Sequence, residues 1–373
     1  MNIRIIKPDG SAWDLEASAV YFTARQLELS TDTAWDCDPD SHERDDRQRW
    51  RVCDPEAARR GFTLTELLIV ISIIAIMAGL GFAAMAGATN MAREHRTAAI
   101  VKRIDQLVME RWEGYRTRAL ALRIPPGVDP RTAATIRLNG LRDLMRMELP
   151  DRVTDVLDGP ANISLSGMPA IRLTRPSLQA NYQRRVQRIL GPTWAALWTE
   201  QHQGAECLYL ILSTMRDGEK SALDYFSSDE MGDADGDGMM EIWDGWGTPI
   251  EFLRWAPGYV PTTTVFLSTM QNPNGQVAPD YFDPAKADPR WRGSGPYPFM
   301  LHPLIVSAGR DKQIDLAMKL ASGGGQFFYS SSVPVDDPYY VPAGPQVPAG
   351  TPVDLLGDGP GWLDNLTNHQ EPE

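Results

Sequence analysis

Between Leu67 and Ala88 the chain runs for 22 residues with no charge and no proline, long enough to cross a bilayer as one helix. Beyond it the pattern becomes a stripe: Ile100, Ile104, Leu107, Val108, Trp112 and Tyr115 recur at three- and four-residue steps, with Arg, Lys, Glu and Asp between them. That spacing predicts an amphipathic helix continuous with the apolar one. No proline falls between Phe62 and Ile124, and Pro125-Pro126-Gly127 is a firm stop. The expected rod is therefore about 60 residues and roughly 90 Å long. Gly79, Gly81 and Gly87, set among alanines, would let neighbouring helices approach closely.

After the rod, the spacing of Ile136, Leu138, Leu141, Leu144 and Met145 predicts a helix over Arg131 to Met147, with two more over Pro176 to Gly191 and Thr193 to His202. Short apolar or alternating runs bounded by Gly and Pro then predict antiparallel strands at Cys207 to Ser213, Pro249 to Trp255, Thr263 to Leu267 and Leu304 to Ser307. From Val335 to Glu373 proline and glycine are dense and aromatics sit singly, so an extended or partly disordered tail is expected. The fold class is α+β, a long N-terminal helix packed on a small antiparallel sheet with extra helices inserted. The expected segments are 1–61, 62–90 in the membrane, 91–123 as an amphipathic stalk, 124–334 as a globular domain and 335–373 as the tail.

Composition narrows the partners. The 373 residues carry 36 Lys+Arg against 49 Asp+Glu, a net charge of −13. The acidic excess persists without residues 1–61, which hold 9 basic and 13 acidic residues. Nucleic acid is thus disfavoured as partner of the bulk surface, which would need a basic face, and metal cations are favoured. Cys37 and Cys53 lie before the apolar run, leaving Cys207 without an internal disulfide partner after it.

Catalytic motifs are lacking. There is no Gly-x-Ser-x-Gly elbow, and Gly218-Glu-Lys220-Ser221 lacks the earlier glycine of a phosphate-binding loop. The five histidines are scattered without metal-ligand spacing and are expected at the surface. Neither an enzyme nor a small-molecule substrate is expected.

One charge is misplaced for an anchor. Glu66 stands at the mouth of the apolar run, where an unpaired carboxylate costs several kcal/mol. A free amine on Phe62 would neutralise it. The stretch Arg59-Arg60-Gly61-Phe62-Thr63-Leu64-Thr65-Glu66, running into Leu67-Leu68-Ile69-Val70, closely resembles the type IV prepilin signal. The resemblance implies cleavage between Gly61 and Phe62 by prepilin peptidase on the cytoplasmic face, N-methylation of Phe62, and pairing of Glu66 with the new N-terminus. It implies assembly with other pilin-like subunits, through an inner-membrane platform, into a pilus or pseudopilus. A leader of 61 residues is long for that family. Initiation at Val52 would give a ten-residue leader; otherwise the extension is cytoplasmic. Basic residues flank the apolar run on both sides, with Arg93, Arg96, Lys102 and Arg103 beyond it, so charge orients it weakly and the peptidase motif decides.

The sharpest cluster is Asp233-Ala-Asp235-Gly-Asp237-Gly238-Met239-Met240-Glu241-Ile-Trp-Asp244. Calcium takes six to eight hard oxygens from a flexible loop, and carboxylates at positions 1, 3 and 5 converge when glycine at 6 permits the turn. Met239 would offer its backbone carbonyl, Glu241 its carboxylate directly or through water, and Met240 an apolar pin. Asp244 at position 12 has a shorter reach than the usual Glu, as in dockerin-type loops. Next come Asp244-Gly-Trp246-Gly-Thr-Pro249 and Ser307-Ala-Gly309-Arg-Asp311. These resemble two elements of the type II secretion major pseudopilin, whose C-terminal loops hold structural calcium. The expected protein is a calcium-stabilised filament subunit, a pseudopilin, single-pass in the inner membrane with its C-terminal domain outside the cytoplasm. The alternative is a minor tip pilin that binds exoproteins, DNA or a surface.

Overall fold

The computed structural model describes residues 3–6, 12–15, 63–163, 169–259, 278–293, 297–318, 338–339, 347–353 and 361–369. Two compact units divide the chain, Met1–Ile69 and Val70–Glu373. In the first, β1 (Ile3–Ile6) and β2 (Ala12–Leu15) form an antiparallel hairpin with Ile3 opposite Leu15. No strand was expected there.

Helix α1 (Leu64–Gly114) is unbroken for 51 residues, about 76 Å at 1.5 Å per residue. Its apolar half is bare, with Leu67 58%, Ile76 63% and Phe82 74% exposed. Burial begins at Thr97 and continues through Ile100, Val101, Ile104, Leu107, Val108 and Trp112, the stripe that the spacing predicts. The rod expected to reach residue 123 stops earlier, in a 3-10 turn over Tyr115–Thr117. Gly114 weakens the helix there, and the buried Tyr115 hydroxyl donates to Glu148 Oε2 at 3.0 Å. Leu122 then lies over Gly140, where a Cβ would stand 2.5 Å from Leu122 Cδ1.

Helix α2 (Pro130–Glu148) starts where Asp129 accepts from the backbone N–H of Arg131 and Thr132, with Pro130 at the first position. Helices α3 (Val153–Leu157) and α4 (Ser177–Leu190) follow, α4 closing on Gly191 at φ 84°. The helix expected over Thr193 to His202 reduces to one turn, α5 (Trp194–Leu197). Cys207 to Ser213, expected as a strand, is the body of α6 (Gln203–Ser213). Nine of its eleven residues are buried, and periodicity cannot separate a wholly buried helix from a buried strand.

Three antiparallel sheets follow. Strands β3 (Arg216–Asp217) and β4 (Lys220–Ser221) make a short hairpin, and β5 (Met231–Gly232) pairs with β6 (Glu241–Ile242). The main sheet has the order β7 (Glu251–Leu253), β8 (Leu304–Ser307), β9 (Leu366–Thr367), with Phe252 opposite Ile305 and Val306 opposite Thr367. The stretch from Val335, expected to be tail, thus supplies an edge strand of the sheet. The run Thr263 to Leu267 lies outside the described residues. One core joins the stripe of α1 to Leu144 and Met145 of α2, to Leu208 and Ile211 of α6, and to Phe252 and Ile305 of the sheet. Arg254, fully buried, ties β7 to α3: its Nη1 donates to the Leu149 carbonyl and to Asp155 Oδ2, both at 2.8 Å.

Candidate functional site

Of the processing residues, Glu66 is described and Gly61 and Phe62 are not. The Glu66 carboxylate accepts from the Thr63 backbone N–H at 2.9 Å and from the Thr63 hydroxyl at 2.8 Å, while the Glu66 N–H donates back to Thr63 Oγ1 at 3.2 Å. This is a reciprocal capping box. The Thr63-x-x-Glu66 spacing carries that signal in the sequence, and it satisfies the carboxylate before any amine is freed.

The acidic loop spans the β5–β6 hairpin. It turns on Gly236 (φ 81°) and Gly238 (φ 99°), conformations glycine adopts without strain. Asp233 accepts from the Gly236 and Gly238 N–H groups at 2.7 and 2.9 Å, and Asp237 from Met239 N–H at 2.8 Å. The side chain of Met239 is fully buried in the main core while Met240 is only partly covered, so Met239, not the expected Met240, pins the loop. Gly232 sits under Trp243, where a Cβ would stand 2.3 Å from the indole.

Asp233, Asp235 and Glu241 each bring a carboxylate oxygen within 4.8 Å of the others, and Asp235 and Asp237 do the same with Glu206 of α6. Glu206 was not among the residues expected from the sequence, because it lies 27 residues before the loop, beside a run expected as strand. Burial, with the Asp235 carboxylate acting in the same direction, drives the Glu241 carboxyl up to about 7 and that of Glu206 up to about 10. Thr199 closes the loop from outside, its N–H donating to Asp237 Oδ2 at 2.8 Å and its hydroxyl to Asp235. That docking explains why the chain leaves the helix after Leu197.

Asp244 lies in a different turn. Its Oδ1 accepts from the N–H groups of Trp246 and Thr248 at 2.8 and 2.9 Å, and its Oδ2 from the Ser307 hydroxyl at 2.6 Å. The two pseudopilin-like elements therefore meet through Asp244 and Ser307, while Asp311 accepts from Gln313 N–H at 2.8 Å. The turn is seated on α1, with Gly245 N–H donating to Thr97 Oγ1 at 2.9 Å. As a donor set, the carboxylates of 206, 233, 235, 237 and 241 suit a hard, oxygen-seeking cation.

His95 is exposed as expected and His42 lies outside the described residues, but the other three histidines depart from expectation. His369 is buried and His302 largely covered. His202 pairs through Nδ1 with Glu251 Oε1 at 3.0 Å.

A bare helix of membrane-crossing length, heading an α+β chain, fits a structural protein anchored by a single pass. Residues 57–82 match the prokaryotic N-terminal methylation motif, so the N-terminal signal is of the type IV pilin and pseudopilin kind. The motif implies processing by prepilin peptidase and assembly with other pilin-like subunits. No curated protein and no solved structure matches the chain.

Proposed function

We propose that this chain is a structural subunit of a type IV pilus-like filament, of the pseudopilin kind found in type II secretion. Peptidase cuts after Gly61 on the cytoplasmic side, Phe62 is methylated, and the part beyond the apolar helix lies outside the cytoplasm. The observation that carries this is the methylation motif at the head of a helix bare to Met91 and buried from Thr97. Once peptidase has exposed the Phe62 amine, Glu66 exchanges its capping bonds with Thr63 for an ion pair. Calcium, held by the loop over 233–241, stabilises the exported part by mass action. The layer of α2 to α5 enlarges the globular part and supports a second reading, a tip subunit that binds exoproteins, DNA or a surface. A filament-building subunit would be made in large excess over a tip protein.

Intact-mass measurement on membrane-extracted protein tests the reading. The expected species begins at N-methylated Phe62, and Glu66→Gln is processed but fails to assemble. Protein that keeps its first 61 residues, or assembles equally well with glutamine at 66, overturns it.

A further inference from the structure

The geometry points to Glu206 as a cation ligand contributed by helix α6 from outside the acidic loop, so that a bound calcium-sized cation clamps the helix to the hairpin. This rests on the calcium reading above and extends it to a residue that no loop spacing includes.

Glu206 has no solvent exposure. Its Oε2 accepts from the indole N–H of Trp198; its Oε1 has no hydrogen-bond partner among the described residues. Glu241, equally buried, has the same half-satisfied arrangement: Oε2 accepts from Ala234 N–H at 2.9 Å, and Oε1 has no partner among the described residues. A buried carboxylate oxygen left unpaired is costly, and two facing one loop need a common cause. Both belong to groups that converge on Asp235: Asp233 and Glu241 on one side, Asp237 and Glu206 on the other. Five carboxylates so placed repel one another unless they are protonated or share a cation.

The surroundings favour a hard divalent ion. The ligating atoms are all carboxylate oxygens, the choice of calcium rather than of zinc or copper. The nearby His202 nitrogen Nδ1 is engaged by Glu251, and Cys207 is buried. Thr199 and Trp198, bonded to Asp235, Asp237 and Glu206, already hold the connector before α6 against the loop.

The test uses the full-length chain in detergent micelles and calcium chloride as the probe, comparing the parent with Asp233→Asn and Glu206→Gln by calorimetric titration and by melting with calcium or with chelator. Expected is calcium binding by the parent, weakened roughly tenfold or more in each variant, as loss of one charged ligand implies. If the parent takes up no calcium at millimolar concentration, the calcium reading itself falls. If the parent binds and Asp233→Asn weakens it, but Glu206→Gln binds within about twofold of the parent, the loop holds the ion alone and only the role of Glu206 is overturned. Hydrogen exchange on the unmutated chain tests the clamp independently: calcium should slow amides in Gln203–Leu208 as well as in the loop, and protection confined to 233–241 sinks it.

Discussion

His369 shows how one side chain can set a pH limit. Its Nε2 lies 3.0 Å from the Pro303 carbonyl and its ring meets Tyr259 edge-on at 5.4 Å between centroids. His302 reaches Met300 Sδ at 3.1 Å. Removal from water disfavours the imidazolium of both, taking them from 6.5 down to about 4. Because the folded values lie below the unfolded one, the unfolded chain binds more protons between them. The stability these residues contribute is therefore complete above about 6.5 and is lost as pH falls toward 4, levelling off below. His202 has the opposite sign: the hydrogen bond to Glu251 raises its pKa, so its contribution is present below 6.5 and lost as pH rises. We expect urea-unfolding midpoints of His369→Gln and His302→Gln to fall less steeply than the parent's between pH 6.5 and 4. Parallel acid limbs would mean that these rings do not titrate on unfolding.

At the scale of elements, α6 is where sequence and structure part, and the reason is physical. The run Cys207-Leu-Tyr-Leu-Ile-Leu-Ser213 has no polar face because α6 has almost no solvent face, so neither period could be read from it. The amphipathic elements were legible, namely the stripe of α1, α2 within a residue of its ends, and α4, while β8, buried throughout, was legible as a short apolar run bounded by Pro303 and Gly309. What placed α6 is a distant partner. The Glu251 carboxylate of β7 accepts from Ala205 N–H at 3.0 Å, serving its N-terminus. The approach depends on Gly204, where a Cβ would stand 2.6 Å from Glu251 Oε2 and 2.8 Å from the Phe252 carbonyl oxygen. Gly204→Ala should cost about 1–3 kcal/mol by overpacking, despite alanine's better helix propensity. A neutral or stabilised variant in denaturant melts would show that the helix–sheet gap can open freely. The acidic cluster was half legible for the same cause: aspartates spaced along one loop are visible in sequence, whereas Glu206 arrives through the tertiary packing of α6.

At the scale of the molecule, the long helix does two jobs that divide at a definable residue. No residue of α1 before Thr97 is buried, while Ile100, Val101, Ile104, Leu107, Val108 and Trp112 line the main core. The turn over residues 244–248 sits on the helix at that boundary: Gly245 rests against the Arg93 backbone and donates to Thr97. A fragment from residue 92 keeps those contacts and sheds the bare segment. We expect it to be soluble without detergent and to unfold at the same denaturant concentration as the full chain in micelles. A fragment from residue 105 drops Ile100, Val101 and Ile104 from the core, at about 1.5–3 kcal/mol for each buried aliphatic side chain, and should unfold markedly earlier. Equal midpoints for the two fragments would place the stalk outside the core and leave the sheet, α2 and α6 to hold the globular part alone. An earlier midpoint for the shorter fragment instead makes residues 97–112 the segment that couples the bare helix to the globular part, because the turn at Asp244 and the main core grip the same few turns of helix.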